Sequence, residues 1–133
     1  MAKIVQSATI LEVKDVKISE AFFREKLGFQ RGGMFGEPPV FCIASRDDVS
    51  IFLDQSRTPR PTPLNQYWAA YFYVDDVDGL AAELKSRGVE IIRGPCDQDY
   101  GCREIDVRDP DGHIIGFGQN RASSAGKLTL PPA

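Results

Sequence analysis

The sequence predicts an α+β fold made of two βαβββ modules, each a strand, a helix and three further strands. Three observations carry that prediction. First, a helix pattern with the same register marks occurs twice: Lys14-Asp15-Val16 opens one and Asp75-Asp76-Val77 the other, about 60 residues further along. Second, each pattern stops at a glycine, Gly28 and Gly88, residues suited to the left-handed turn that ends a helix. Third, the segments after each glycine alternate apolar and polar residues with a period of two, the mark of strands with one buried face.

In chain order, ATILEV (8–13) reads as a strand. The helix that follows is SEAFFREKLGF, with Ser19 as its expected N-cap and Glu20 favourable in the first turn. Ile18 with Phe22, and Phe23 with Leu27, are paired at four-residue spacing. A strand begins at Phe29-Gln30-Arg31, and Gly32 to Gly36 form a loose or bulged hairpin region. VFCIAS (40–45) and VSIFLD (49–54) are strands joined by Asp47-Asp48. Module one therefore spans about 6–54. The proline-rich stretch 55–66 is a linker.

Module two covers 67–119. Tyr67 to Val74 is an aromatic strand, and the helix through Arg87 presents Val77, Leu80, Ala81 and Leu84 on one face. Val89 to Ile92 is expected as a strand and Arg93 to Tyr100 as a loop. Then YGCREIDVRDPDGHIIGFGQ reads strand, turn, strand: Pro110 presets the turn backbone and Gly112 accepts the exit geometry. Ile105 and Val107 take one face, Glu104 and Asp106 the other. Each module buries one sheet face under its helix and leaves the other to line a cavity. Residues 1–120 count as a single domain, and 121–133 as a tail with a possible short strand at Leu128–Leu130.

Composition narrows the function classes. The chain has 133 residues, 42% of them apolar, and a formal charge of −3. There is no basic stripe to neutralise phosphates, which argues against nucleic-acid binding. No apolar run approaches membrane-spanning length, and the N-terminus lacks a signal-peptide pattern, so a cytoplasmic location is expected. Three cysteines, Cys42, Cys96 and Cys102, without a CxxC point to neither a disulfide framework nor a thiolate zinc site. Cys42 reads as a small core residue. The single histidine, His113, follows the turn and is expected to be exposed at its edge. A site needing two histidines within the chain is excluded.

AFFREKLGF together with DPDGHIIGF at the matching place in the second module resembles the vicinal oxygen chelate superfamily, which includes glyoxalase I, extradiol dioxygenases, fosfomycin resistance enzymes and bleomycin resistance proteins. Over residues 4–119, MAKIVQSATILEVKDV, FFREKLGF, RDDVSIFL and YGCREIDVRDPDGHIIGF are most similar to the bleomycin resistance group. That resemblance implies a homodimer, often with exchanged N-terminal strands, that sequesters a drug at the subunit interface. Metal-dependent members carry four ligands on inward strand positions, which correspond here to Ala8, Phe52, Ala69 and Gly116. None of these side chains offers a donor to a hard or borderline cation. No cofactor and no metal are expected.

If those positions face inward, Tyr71 and Tyr73 share the face of Ala69, and Phe52, Glu104 and Asp106 also turn inward. Trp68 falls on the opposite face by strict alternation unless a bulge or the strand start turns it. Tyr100, beside Gly101 in a loop, is placed to cover a ligand. The candidate ligand-binding residues are thus Phe52, Trp68, Tyr71, Tyr73, Tyr100, Glu104 and Asp106, with aromatic faces to stack planar rings and carboxylates to select positive charge. The competing reading has the aromatics simply filling the site or sealing a dimer interface, with the acids solvated or paired with Arg103 or Arg108. The functional expectation is a metal-free protein binding an aromatic, cationic antibiotic or related compound. The alternatives are a cofactor-independent enzyme on a small aromatic substrate and a dimeric module with a filled pocket.

Overall fold

The structure, a computed structural model, describes residues 1–58 and 66–121. The expected Leu128–Leu130 strand and most of the linker lie outside the described residues. The chain divides into two compact units, Met1–Pro61 and Thr62–Ala133.

The first unit contains β1 (Ala8–Val13), α1 (Val16–Glu25), β2 (Gln30–Phe35), β3 (Phe41–Arg46) and β4 (Val49–Gln55). Its sheet has the order β1-β4-β3-β2, with β1 parallel to β4 and the other pairs antiparallel. Alternation works as the sequence implies. Leu11, Val13, Cys42, Ala44, Ile51 and Leu53 are buried, together with Val16, Phe23 and Leu27 of α1 and the segment that follows it. The α1 start differs from expectation. Asp15, not Ser19, is the N-cap: its carboxylate accepts from the backbone N–H of Lys17 (2.9 Å) and Ile18 (3.3 Å). Ser19 lies buried within the helix, and Ile18 is exposed. An aspartate at the chain's entry outcompetes a serine one turn later because it caps the same helix with a longer hydrogen-bonded run behind it. Of the loose or bulged hairpin expected at Gly32 to Gly36, the bulged form is found: Gly32 to Phe35 belong to β2, which pairs antiparallel with β3 and shifts register between Arg31 and Gly33.

The second unit repeats the plan: β5 (Trp68–Tyr73), α2 (Val77–Ser86), β6 (Arg93–Asp97), β7 (Cys102–Arg108) and β8 (Ile114–Asn120). Its sheet order is β5-β8-β7-β6, with β5 parallel to β8. Asp76 caps α2 through the N–H of Gly79 (3.0 Å). Gly28 and Gly88 take φ of 75° and 82° after their helices, the left-handed conformation that glycine adopts without strain. The apolar face of α2, Val77, Leu80, Ala81 and Leu84, is buried, as are Ala70, Phe72, Ile105, Val107, Ile115 and Phe117 of the sheet.

Two expectations for this unit are corrected. The strand expected at Val89–Ile92 lies at Arg93–Asp97, within the segment expected to be a loop. Val89 is instead tied to the helix end, its N–H donating to the Leu84 carbonyl (2.9 Å), and the chain reaches β7 only afterwards. The run RGPCD has no period-two signal, and its register with β7 shifts between Arg93 and Cys96. His113 is buried, at 3% exposure, rather than exposed. Asp109 Oδ1 accepts from the N–H of Asp111 (3.0 Å) and of His113 (2.7 Å), which curls the turn so that His113 enters the next strand inward.

Candidate functional site

The exposed side of the second unit's sheet, opposite α2, is set by strand parity. On β7, Cys102, Glu104 and Asp106 alternate with Arg103, Ile105 and Val107; Asp106 pairs with Gly116, and Glu104 with Gly118, on β8. On β5, Tyr71 pairs with Gly116 and Tyr73 with Gly118. The register of β5 shifts between Trp68 and Ala70. This bulge turns Trp68 onto the side of Tyr71, where the two rings meet edge-on with centroids 4.7 Å apart. Tyr71 and Tyr73 meet similarly at 5.2 Å.

The two β8 glycines permit this arrangement. A β-carbon on Gly116 would stand 2.6 Å from Trp68 Nε1 and 2.9 Å from Tyr71 Cδ2, and one on Gly118 would overlap the Tyr71 hydroxyl. The rings therefore lie directly on the β8 backbone, a close approach that only glycine allows. Gly116 is the position at which metal-dependent relatives are expected to carry a ligand, and here Trp68 and Tyr71 fill the space above it.

Beneath the rings lies a polar network. Glu104, 0% exposed, accepts from the Tyr71 hydroxyl at Oε2 (2.8 Å), and at Oε1 from the Tyr100 hydroxyl (2.7 Å) and Arg93 Nη2 (2.7 Å). Asp106, 7% exposed, accepts from Trp68 Nε1 at Oδ1 (2.8 Å) and from Arg93 Nε at Oδ2 (2.7 Å). Arg93 thus bridges both carboxylates. The sequence-based pairing with Arg103 or Arg108 is corrected. Arg103 has the opposite parity and binds Asp78 and Asp97, while Arg108 reaches the Gly112 carbonyl. Arg93 faces Asp106 directly across the β6–β7 ladder. It was missed because its segment carried no strand signal. Buried carboxylates that accept several hydrogen bonds and face a guanidinium have their desolvation offset.

The electrostatics follow from these contacts. The hydrogen bond to Asp106, reinforced by Glu104, holds the Arg93 guanidinium firmly protonated. Burial, and then the hydrogen bond to Glu104, pushes the Tyr71 and Tyr100 phenols well above the ordinary tyrosine value, so both remain neutral donors. The cluster of two carboxylates and one guanidinium sums to −1.

A cavity of about 300 Å³ opens over this network, lined by Trp68, Tyr71, Tyr73, Tyr100, Cys102 and Glu104. Its volume is at the small end for ligand pockets. Asp106 sits below Trp68 and is not part of the lining. Phe52 belongs to the first unit, where its ring packs 5.5 Å from that of Phe41. Cys102, at 2% exposure, lines the cavity without having been expected there. Among the described residues, one group has the side-chain types and spacing for a cation, Asp109, Asp111 and His113, with ligand atoms within 4.8 Å. Asp109 Oδ1 is engaged in structuring the turn, where it accepts from the N–H groups of Asp111 and His113; burial raises the Asp109 pKa.

Residues 5–117 match the family model for the glyoxalase/bleomycin resistance protein/dioxygenase superfamily. The chain belongs to this superfamily. No curated protein sequence matches. Among solved structures, TnmS3, described as an antibiotic binding protein from Streptomyces sp. CB03234, is 26% identical with a TM-score of 0.68, over 90% of this chain and 99% of that one. Two more distant structures share the fold. TioX from Micromonospora sp. ML1 is 16% identical with a TM-score of 0.73, over 87% of this chain and 98% of that one. A lactoylglutathione lyase from Agrobacterium tumefaciens is 18% identical with a TM-score of 0.69, over 92% and 98%. The structures similar to this chain thus include both a protein described as antibiotic binding and a lactoylglutathione lyase.

Proposed function

We propose that this protein binds a planar aromatic small molecule, an antibiotic or a related compound, by sequestration and without metal. The observation that carries this reading is the cavity whose walls are Trp68, Tyr71, Tyr73 and Tyr100. Aromatic walls stack flat rings, each such contact being worth roughly 0.5–1.5 kcal/mol beyond area burial. The residue types at the expected metal positions, Ala8, Phe52, Ala69 and Gly116, support the metal-free part, as does the packing of Trp68 and Tyr71 over Gly116. The similarity to TnmS3 supports an antibiotic as the ligand.

Acid–base catalysis by the same groups has less support. Glu104 is enclosed by three donors, and the two phenols that reach it are pushed away from neutral pH rather than toward it. The reading includes a homodimer with β1 as the exchanged strand. β1 is at the sheet edge, and its Ile10 is 63% exposed. A cytoplasmic location belongs to the same proposal; among the described residues no helix is long and apolar enough to cross a membrane.

Calorimetric titration with bleomycin and a panel of planar aromatic antibiotics tests the binding. Saturable binding to the native protein, lost when Trp68 and Tyr71 are replaced by alanine, is the expected result. Absence of heat at high micromolar concentration across the panel would overturn the proposal, and turnover of a panel member without added metal would shift it to the enzyme reading. Sedimentation of the free protein tests the dimer.

A further inference from the structure

The hydrogen-bond directions around the cavity set what a ligand must offer. Besides the Tyr73 hydroxyl at the rim and the weakly donating Cys102 thiol, three donors lie at its walls, and each of these three is engaged from below. The Tyr71 and Tyr100 hydroxyls donate to Glu104, and the Trp68 N–H donates to Asp106. A hydroxyl has one hydrogen and two lone pairs, so each of these phenolic oxygens faces a ligand only as an acceptor. An ionised carboxylate has about four acceptor sites, and Glu104 uses three of them on Tyr71, Tyr100 and Arg93. Arg93, the nearby cation, directs its Nε and Nη2 donors to Asp106 and Glu104 and its Nη1 to the Cys96 sulfur. Its side chain is not among those lining the cavity. Tyr73 lies at the rim, 51% exposed.

We infer that the cavity selects planar aromatic ligands that carry hydrogen-bond donors, hydroxyl or amino groups on the ring edge, over isosteric ligands that carry only acceptors. This inference rests on the proposed aromatic capture and names the chemical class of its ligand. A ring hydroxyl entering beside Tyr100 exchanges a water acceptor for the phenolic oxygen. A ring carbonyl or ether in the same place gives up its water and meets another acceptor. Leaving a buried acceptor unpaired is costly relative to pairing it, and the resulting discrimination is about tenfold or more. The inference also revises the role of the two acids. With Arg93 between them, Glu104 and Asp106 orient the phenols and the indole so that oxygen lone pairs and π faces, not bare carboxylates, meet the ligand.

The test compares matched probes by NMR titration of the whole protein, following the indole N–H of Trp68, the only tryptophan. The probes are beta-naphthol, its methyl ether, and N-methylquinolinium, a flat cation without a donor. The expected result is that the naphthol binds about tenfold more tightly than the ether, and that Tyr100→Phe narrows that gap. Equal affinity for naphthol and ether would overturn the donor rule while leaving aromatic capture standing. Tighter binding of N-methylquinolinium than of the naphthol would overturn it in favour of charge selection. No shift with any probe up to their solubility would overturn both the rule and the capture it rests on. A naphthol preference unchanged by both Tyr100→Phe and Tyr71→Phe would overturn the assignment of the phenolic oxygens.

Discussion

Replacing Arg93 with methionine removes the guanidinium that joins the two buried acids and leaves most of its aliphatic bulk. In the native protein Arg93 Nε and Nη2 each stand 2.7 Å from a carboxylate oxygen, of Asp106 and Glu104 respectively. The Glu104 side chain is 0% exposed and that of Asp106 10%. After substitution Glu104 retains the two phenols, and Asp106 retains the Trp68 indole. The local charge goes from −1 to −2 with no cation inside. Breaking a buried pair by removing one partner typically costs 3–5 kcal/mol. The Arg93 side chain is itself 36% exposed, so water screens part of the interaction. The expected loss is therefore at the bottom of that range, about 3 kcal/mol.

Urea unfolding followed by Trp68 fluorescence measures this loss directly. A second substitution separates charge from packing: Glu104→Gln in the Arg93→Met background removes one uncompensated buried carboxylate and recovers part of the stability. A loss below about 1 kcal/mol, the level of an exposed ion pair, would refute the reasoning. So would no recovery on adding Glu104→Gln, which would show that Arg93 acts through packing alone.

Three further predictions concern the same framework. Tyr71 and Tyr100 have raised pKa values, so the stability their neutral forms contribute is complete below the ordinary tyrosine value of 10.0 and is lost as pH rises above it; phenolate absorbance on alkaline titration shows two late groups, and the Tyr71→Phe and Tyr100→Phe variants each remove one. Glu20 is buried, which alone would raise its pKa, but hydrogen bonds from Arg31 and Arg24 outweigh that and lower it; its contribution is present above 4.5 and lost as pH falls below, so Glu20→Gln flattens the acid limb of a stability–pH curve. Asp15→Ala removes the cap of α1 and costs about 1 kcal/mol in urea unfolding, whereas native-like stability in that variant would show that the cap is replaceable.

The fold was legible in the sequence because its signals are local and repeated. Asp15 and Asp76 before the helices, Gly28 and Gly88 after them, and the alternation of Glu104, Ile105, Asp106 and Val107 each encode a feature within a few residues. The placement of Ser19 as a cap failed against the better evidence of the repeat itself, since Asp15 occupies the place that Asp76 has in the second module. The site was half legible. Parity alone put Tyr71, Glu104 and Asp106 on one face, but the state of the acids depends on Arg93, and β6 has no periodicity from which to read its pairing. Trp68 depended on a bulge that strict alternation does not contain.

What the sequence could show at Gly116 was only the lack of a metal-binding side chain; what the structure adds is the consequence of that lack. A side chain at Gly116 would stand against the indole nitrogen and the Tyr71 ring, and one at Gly118 would displace the Tyr71 hydroxyl. Those same two rings supply donors to Asp106 and Glu104. The glycines and the acids are therefore coupled: the small residues let the aromatic rings descend onto the sheet, and only from there do their polar ends reach the carboxylates. Gly118→Ala consequently breaks more than a packing contact. Lifting Tyr71 takes one of three donors from Glu104 and raises the cavity floor, so ligand affinity and stability fall together. Loss of affinity with stability unchanged would show that the floor and the network are independent.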